Sequence, residues 1–340
     1  MKRILVTGGA GFIGSNFIHY MLAKYDYEIV NLDKLTYAGN LDNLREVEAD
    51  PRYRFVRGDI CSAADVSAAM AGCDAVVNFA AETHVDRSLI DAGAFIQADV
   101  YAVFVLLEAA RQQGIERFLH ISTDEVYGPR FPDSPAREDD PLTPANPYAA
   151  SKAGGEMQCQ AFFKTYGLPV MVSRSRNNIG PRQHVEKAVP LFVTNAIEDE
   201  PLPVYGEGLQ VRDRLYVEDN CEALDLILHK GTPGEAYNVG ADNERPNIEV
   251  VETVLRLLGK PRSLIRFVAD RTNHDARYSI DTSKLRALGW SPRHGYVEAM
   301  EKTVAWYRDN AWWWQKVKDG EYAAYYQQQY AERLAKSRAP

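Results

Sequence analysis

A doubly wound parallel α/β sheet joined to a second, smaller mixed α/β lobe is the fold class that this sequence predicts. Three observations lead there. Short β-branched runs alternate with longer amphipathic stretches through the first 175 residues, a glycine-rich turn links the first run to the first helical pattern, and from about Asn177 the alternation gives way to segments punctuated by Pro and Gly.

The elements follow in order. Strands are expected at Arg3–Thr7, Glu28–Leu32, Tyr53–Val56, Ala75–Phe79, Arg117–Ser122 and Pro169–Ser173, with helices near Ser15–Lys24, Ala63–Ala71, Ala94–Gln113 and Ser151–Tyr166. Strand, helix, strand repeated in this way requires parallel crossover units. Beyond them, Gly180-Pro181, Pro201–Pro203 and Gly206–Gly208 break the chain around shorter helical patterns at Val189–Glu198 and Val217–His229. The expected division is 1–176, with 212–240 returning to it, against 177–211 and 241–340. The tail, with Trp312, Trp313, Trp314, Tyr322, Tyr325, Tyr326 and Tyr330, has aromatic faces suited to docking on a core.

Composition narrows the function. A chain of 340 residues with 46% hydrophobic and 25% charged residues can bury its own core, so it is neither disordered nor collagenous. Its 39 Lys+Arg against 47 Asp+Glu give a formal charge of −8, which disfavours nucleic acid and anionic membranes as partners. The four cysteines, Cys61, Cys73, Cys159 and Cys221, form no CxxC pair and suggest neither zinc nor disulfides, so no metal is expected. The longest apolar run, Val100 to Leu107, falls short of the 18 or so residues of a membrane span. A soluble, cytoplasmic protein is the expectation.

Three stretches carry the chemistry. Gly8-Gly9-Ala10-Gly11-Phe12-Ile13-Gly14 sits between a strand and a helix: Gly8 suits the tight turn, Gly11 the approach of a pyrophosphate to backbone N–H groups, and Gly14 close helix packing. Asp33, 19 residues beyond Gly14, is placed to accept from ribose hydroxyls and to repel a 2′-phosphate, which favours NAD over NADP. Asp59 and Ile60 end the next strand, where an adenine contact and a simple turn are both compatible with the spacing.

Tyr148 and Lys152 stand four residues apart, one helical turn, so that an ammonium can favour the phenolate of a proton-accepting Tyr. Ser122-Thr123-Asp124-Glu125 ends a strand at the edge where such sheets hold ligands; Thr123 can bond a reacting hydroxyl, and Asp124 with Glu125 offers an acid and a base.

Together with Asp33–Asn40, Ala80–Ser88, Val211-Arg212-Asp213 and His274-Asp275, these stretches resemble the dTDP-glucose 4,6-dehydratase family within the extended short-chain dehydrogenase/reductases. The resemblance runs along nearly the whole chain and implies a Rossmann sheet and one tightly held NAD. It implies that Tyr148, tuned by Lys152, takes the C4 hydroxyl proton, that Glu125 is the base at C5, and that Asp124 protonates the departing C6 hydroxyl. The implied product is the 4-keto-6-deoxy sugar nucleotide plus water.

By the same likeness Gly8, Gly11, Phe12, Ile13, Gly14, Asp33, Lys34, Leu35, Thr36, Asp59, Ile60, Phe79, Ala80, Ala81, Thr83, Tyr148, Lys152 and Asn178 would hold NAD. Thr83, His84, Arg87, Thr123, Asn177, Glu186, Lys187, Pro203, Val204, Tyr205, Arg212, Asn247, Asp270, Arg271 and His274 would face the sugar nucleotide. Departures from the family pattern fall at Asp99, Ile179, Arg182, Ala188, Arg214 and Asn273; two of them add arginines near the nucleotide half and leave thymine against uracil open. A UDP-sugar 4,6-dehydratase, an epimerase or decarboxylase, and a non-catalytic NAD-sensing protein are the rival readings. Apolar faces on Ala94–Gln113 and Ser151–Tyr166 suit burial against the chain's own sheet and pairing of two subunits equally; the family's four-helix contact implies the latter, a homodimer.

Overall fold

A computed structural model describes residues 1–270, 275–319 and 321–340. Among these described residues, seven strands form one parallel sheet: β1 (Arg3–Thr7), β2 (Glu28–Asp33), β3 (Tyr53–Arg57), β4 (Ala75–Asn78), β5 (Arg117–Thr123), β6 (Val170–Ser175) and β7 (Ala236–Val239). Their order across the sheet is β7-β6-β5-β4-β1-β2-β3. The order in which successive strands are laid down reverses between β1 and β4, and the crevice beyond the carboxyl ends of those strands is where such a sheet takes a ligand.

Alternation along the strands explains the layers. Ile4 and Val6 face α1 (Phe12–Lys24), whereas Leu5 joins the opposite face with α2 (Ala63–Met70), α3 (Ala92–Gln113) and α4 (Pro147–Tyr166). Farther along, α5 (Ala188–Ile197) precedes α6 (Val217–Lys230), whose Leu224, Ile227 and Leu228 join α1 on the first face. Each fully buried Leu, Ile or Phe in these layers contributes about 1.5–3 kcal/mol. The last strand, β7, pairs with β6 in the register Ala236 to Val172, so residues beyond Asn177 contribute to the main sheet.

A separate core gathers α5, α7 (Asn247–Leu258), α8 (Tyr296–Asp309), α9 (Ala311–Lys318) and the final helix α10 (Glu321–Ala335). Beside it Leu202–Tyr205 pairs in parallel with Ile265–Val268. The aromatic tail docks here. Trp313 and Trp314 are buried and each donates its indole N–H, to Asn43 Oδ1 and to the Tyr307 carbonyl, both at 2.8 Å.

Two boundaries differ from the sequence expectation by more than two residues. Gly11 caps α1, which starts at Phe12 rather than Ser15. Asn146 accepts from the Ala149 N–H and Pro147 occupies the first turn, so α4 begins four residues before Ser151 and includes Tyr148. A third difference concerns length. The apolar run at Val100 to Leu107 lies inside one continuous helix, α3, with a π-helical stretch at Gln97–Tyr101, and by length and composition this helix suffices to cross a membrane. In the fold its inner face, with Val103, Leu106 and Leu107, packs into the sheet core.

Candidate active site

A cavity of about 620 Å³ opens at the carboxyl ends of β1, β4 and β5, walled on the far side by the second core. Its first end is built from backbone. Gly8 has φ +67°, and a Cβ there would lie 2.6 Å from the Ala80 nitrogen; a Cβ on Gly14 would meet the Gly8 oxygen at 2.5 Å. Only glycine lets the turn, the helix start and β4 approach this closely. Gly11 has only the Gly8 oxygen within 4 Å of such a Cβ, and with Phe12 and Ile13 it lines the cavity. The spacing fits a pyrophosphate over the amino end of α1, and Asp33, Lys34, Thr36, Asp59, Ile60, Phe79, Ala80, Ala81, Thr83 and Asn178 line the same space.

Asp33 holds the loop together as well as facing the cavity. Its carboxylate accepts from the Ala10 N–H at 2.9 Å and the Leu35 N–H at 2.8 Å, while burial pushes its pKa up. Lys34 pairs with Asp59 at 2.6 Å, which neutralises the cation next to Asp33 in the sequence. Leu35 is the exception in this group: it packs on the core and is absent from the cavity wall.

At the end of β5, Thr123 caps a 3-10 turn, Asp124–Tyr127, by accepting from the Glu125 N–H at 3.3 Å. Glu125 lines the cavity, and its Oε2 accepts from Asn146 and from the Tyr278 hydroxyl, each at 3.4 Å. Asp124 does not share that wall. It is buried, accepts from the Thr123 hydroxyl at 3.3 Å, and lies 3.8 Å from the Arg176 guanidinium. Burial drives its pKa up to about 7, against the pull of Arg176 and Arg212. The two adjacent carboxyls therefore occupy different environments, as an acid and a base require.

Tyr148 lines the cavity within hydrogen-bonding reach of Thr123, and Lys152, one turn on, donates to the Ile121 carbonyl at 2.7 Å. Burial and the carboxylates Glu125, Asp99 and Asp124 hold the Tyr148 phenol well above its usual pKa, so it is neutral here. Lys152 alone does not generate the phenolate. Asp99, buried under α4, accepts from the Ser151 hydroxyl at 2.6 Å and is pushed up to about 6 by burial against the field of Lys152.

The other end of the cavity is polar and drawn from distant segments. Thr83, His84, Asn177, Glu186, Lys187, Pro203, Val204, Tyr205, Arg212 and Asn247 line it. Arg87 lies outside the wall, sandwiched between the rings of Tyr37 at 3.5 Å and Tyr325 at 4.6 Å and paired with Glu186 at 2.9 Å. Asp270 also lies outside it, accepting from Gln210 at 2.8 Å, and Arg271, Asn273 and His274 fall outside the described residues.

Of the two added arginines, Arg182 reaches Asn16 and Glu46, both at 3.2 Å, whereas Arg214 stands in the cavity wall. Sequence reasoning missed Arg176 and Tyr330, both in the wall. Arg176 directly precedes Asn177 and could have been found from that position; Tyr330 arrives from a helix more than 300 residues from the glycine loop and carries no local signal.

A parallel sheet, a glycine loop at its switch point and a Tyr and Lys one turn apart define a short-chain dehydrogenase/reductase with a large polar substrate compartment. Comparison with known proteins narrows this. The family model for GDP-mannose 4,6 dehydratase matches residues 5–303. A dTDP-glucose 4,6-dehydratase of Neisseria meningitidis is 47% identical over 95% of this chain and 98% of its own, and the low-salt glycan biosynthesis protein Agl12 of Haloferax volcanii is 49% identical over 89% and 98%. The crystal structure of the dTDP-glucose 4,6-dehydratase DesIV of Streptomyces venezuelae, solved with NAD bound, superposes with a TM-score of 0.91 at 46% identity, covering 93% of this chain and all of that one. The chain belongs to the dTDP-glucose 4,6-dehydratase family.

Proposed function

We propose that this protein is an NAD-dependent dehydratase that converts a nucleoside-diphosphate glucose, dTDP-glucose foremost, into the 4-keto-6-deoxy sugar nucleotide and water. The observation that carries this reading is the meeting of Thr123, Glu125 and Tyr148 in one cavity wall, with Asp124 hydrogen-bonded directly behind Thr123, at the mouth of the glycine loop. An alcohol dehydrogenation or an epimerisation needs the phenol alone. An elimination needs a further acid and base.

Gly8, Gly11 and Gly14 with Asp33 and Lys34 would hold the dinucleotide. Bound NAD supplies the redox chemistry, a hydride taken from C4 and one returned to C6, together with a positive ring. Tyr148 then accepts the C4 hydroxyl proton, with Lys152 fixed nearby and Thr123 orienting the hydroxyl. Glu125 removes the proton at C5, now acidified by the C4 ketone, and returns a proton to C5 when C6 is reduced. Asp124, protonated below about 7, gives its proton to the departing C6 hydroxyl through the Thr123 hydroxyl that bridges them, and water leaves. Arg212, His84, Lys187 and Asn247 face the sugar nucleotide; Arg and Lys suit its diphosphate.

The test is product analysis with dTDP-glucose and UDP-glucose. Loss of one water by mass spectrometry supports the reading, and conversion to a 4-epimer without water loss defeats it. Glu125→Gln is expected to form the enzyme-bound 4-ketone and stall. Normal turnover by that variant excludes Glu125 as the base.

Three coarser features complete the proposal. The NAD domain comprises 1–176 with 212–240 returning to it, and 177–211 and 241–340 form the sugar-nucleotide lobe, with Arg212 and Asn178 crossing over at the boundary to face the other ligand. Exposed Ile96, Tyr101 and Phe104 on α3 and Met157 and Tyr166 on the adjoining α4 form an apolar face that a second copy would cover, giving a homodimer. Light scattering reading a monomer removes that assignment. The site of action is the cytoplasm, with neither nucleic acid nor membrane as partner.

A further inference from the structure

We infer that Arg214 is a phosphate ligand, the second guanidinium beside Arg212 on the diphosphate of the substrate. This rests on the nucleotide-sugar reading and adds a residue that reading does not use. Arg214 is 5% exposed and shares the cavity wall with Arg212 and Asn247. Its Nη2 donates to Asn247 Oδ1 at 2.6 Å, its Nε is buried with no hydrogen-bond partner, and it pairs with no carboxylate among the described residues. The nearest acid in sequence is committed elsewhere. Asp213 accepts from the Ala241 and Asn243 N–H groups, both at 2.7 Å, and lies 3.7 Å from Arg176.

A buried guanidinium without a counter-ion is strongly unfavourable, and here its pKa falls to about 10 through burial and the adjacent Arg212. The charge that would balance it has to come from a ligand. Arg212 is already fixed in place, donating to the Val211 and Asp275 carbonyls at 2.8 Å each with its guanidinium 4.6 Å from the Tyr278 ring centre. Two guanidiniums of like charge side by side are not satisfied by a neutral base carbonyl. A diphosphate, with two negative charges and many acceptor oxygens, satisfies both. The amino end of α7, which starts at Asn247, adds positive potential to the same place.

The probes are dTDP and thymidine, titrated calorimetrically into the full-length NAD-loaded protein, with UDP as a second nucleotide. Arg214→Gln is expected to weaken dTDP by roughly tenfold to a hundredfold, the range of a charge-assisted hydrogen bond, and to change thymidine binding less than about twofold. Arg214→Lys, which keeps the charge and loses the fork, is expected to fall between, and neither variant lowers the melting temperature of the unliganded protein. Unchanged dTDP affinity in Arg214→Gln, parallel losses for dTDP and thymidine, or a lowered unliganded melting temperature in both variants overturns the inference. Failure of the wild-type protein to bind either dTDP or UDP overturns the nucleotide-sugar reading instead.

Discussion

The two ends of the cavity are made of different material. At the cofactor end, backbone makes the wall: a loop of four residues, Gly8–Gly11, joins β1 to α1 and a strand end supplies Asp33, with Ala10 and Leu35 N–H groups locking its carboxylate. At the opposite end, side chains do it, and they arrive from β6, from the 203–214 stretch, from the start of α7 and from α10. Backbone recognition depends on local conformation and tolerates almost no added atom. Side-chain recognition depends on charge and on the assembly of remote segments, so it can be retuned one residue at a time without disturbing the sheet.

The largest expected effect lies where the two ends meet. Asp124→Asn removes the transferable proton while keeping the shape, and turnover should fall by about 10²- to 10⁴-fold with dTDP and NAD still bound. The wild-type pH profile carries the same information. Asp124 titrates near 7 instead of near 3.8, so its acid form is lost as pH rises through 7, and the elimination rate should decline on that alkaline side. The sign for stability is the same: the unfolded chain ionises this carboxyl first, so the folded protein loses stability as pH rises between those two values. A rate-pH profile flat across this range in wild type would remove Asp124 as the acid.

Next comes the backbone end itself. Gly8→Ala places a methyl 2.6 Å from the Ala80 nitrogen at a φ of +67°, and the cost should be about 2–4 kcal/mol of stability together with loss of NAD affinity. Thermal melting and NAD titration read both quantities. An intact NAD affinity in that variant would mean the loop is not backbone-limited and would erase the contrast between the two ends.

The same contrast explains what was legible in the sequence. The strand and helix alternation is encoded by local periodicity, and the glycine loop, Asp33 and the Tyr148–Lys152 pair sit within single turns, so their placement follows from spacing. The resemblance to the dehydratase family supplied residue types at the nucleotide end, most of which line the cavity, but not their charge balance. Nothing local distinguishes Arg182, spent on Glu46 and Asn16, from Arg214, left in the wall. Nor does adjacency separate Asp124 from Glu125: consecutive carboxyls read as a pair, yet the 3-10 turn capped by Thr123 sends only Glu125 to the cavity.

The smallest expected effect marks how the 212–240 segment is tied to the cofactor end. Asp225 on α6 pairs with Lys24 at the end of α1 at 2.7 Å and accepts from the Tyr25 hydroxyl at 3.1 Å, while His229 Nδ1 lies 2.8 Å from its Oδ1 and stacks on Tyr25 at 5.1 Å. The hydrogen bond to Asp225 raises the His229 pKa above 6.5, and the same pair holds Asp225 below 3.8. Because the folded value for His229 lies above the unfolded one, its contribution is complete below about pH 6.5 and fades as pH rises through the folded value. His229 is partly exposed, so His229→Gln should cost only about 0.5–1 kcal/mol in denaturant melts at pH 6 and less at pH 9, where only the ring's contact with Tyr25 is lost. Its nucleotide affinity should match wild type at both pH values. A loss of dTDP binding in this variant would show that α6 transmits strain to the side-chain end, and the two ends of the cavity would then be coupled rather than separately tunable.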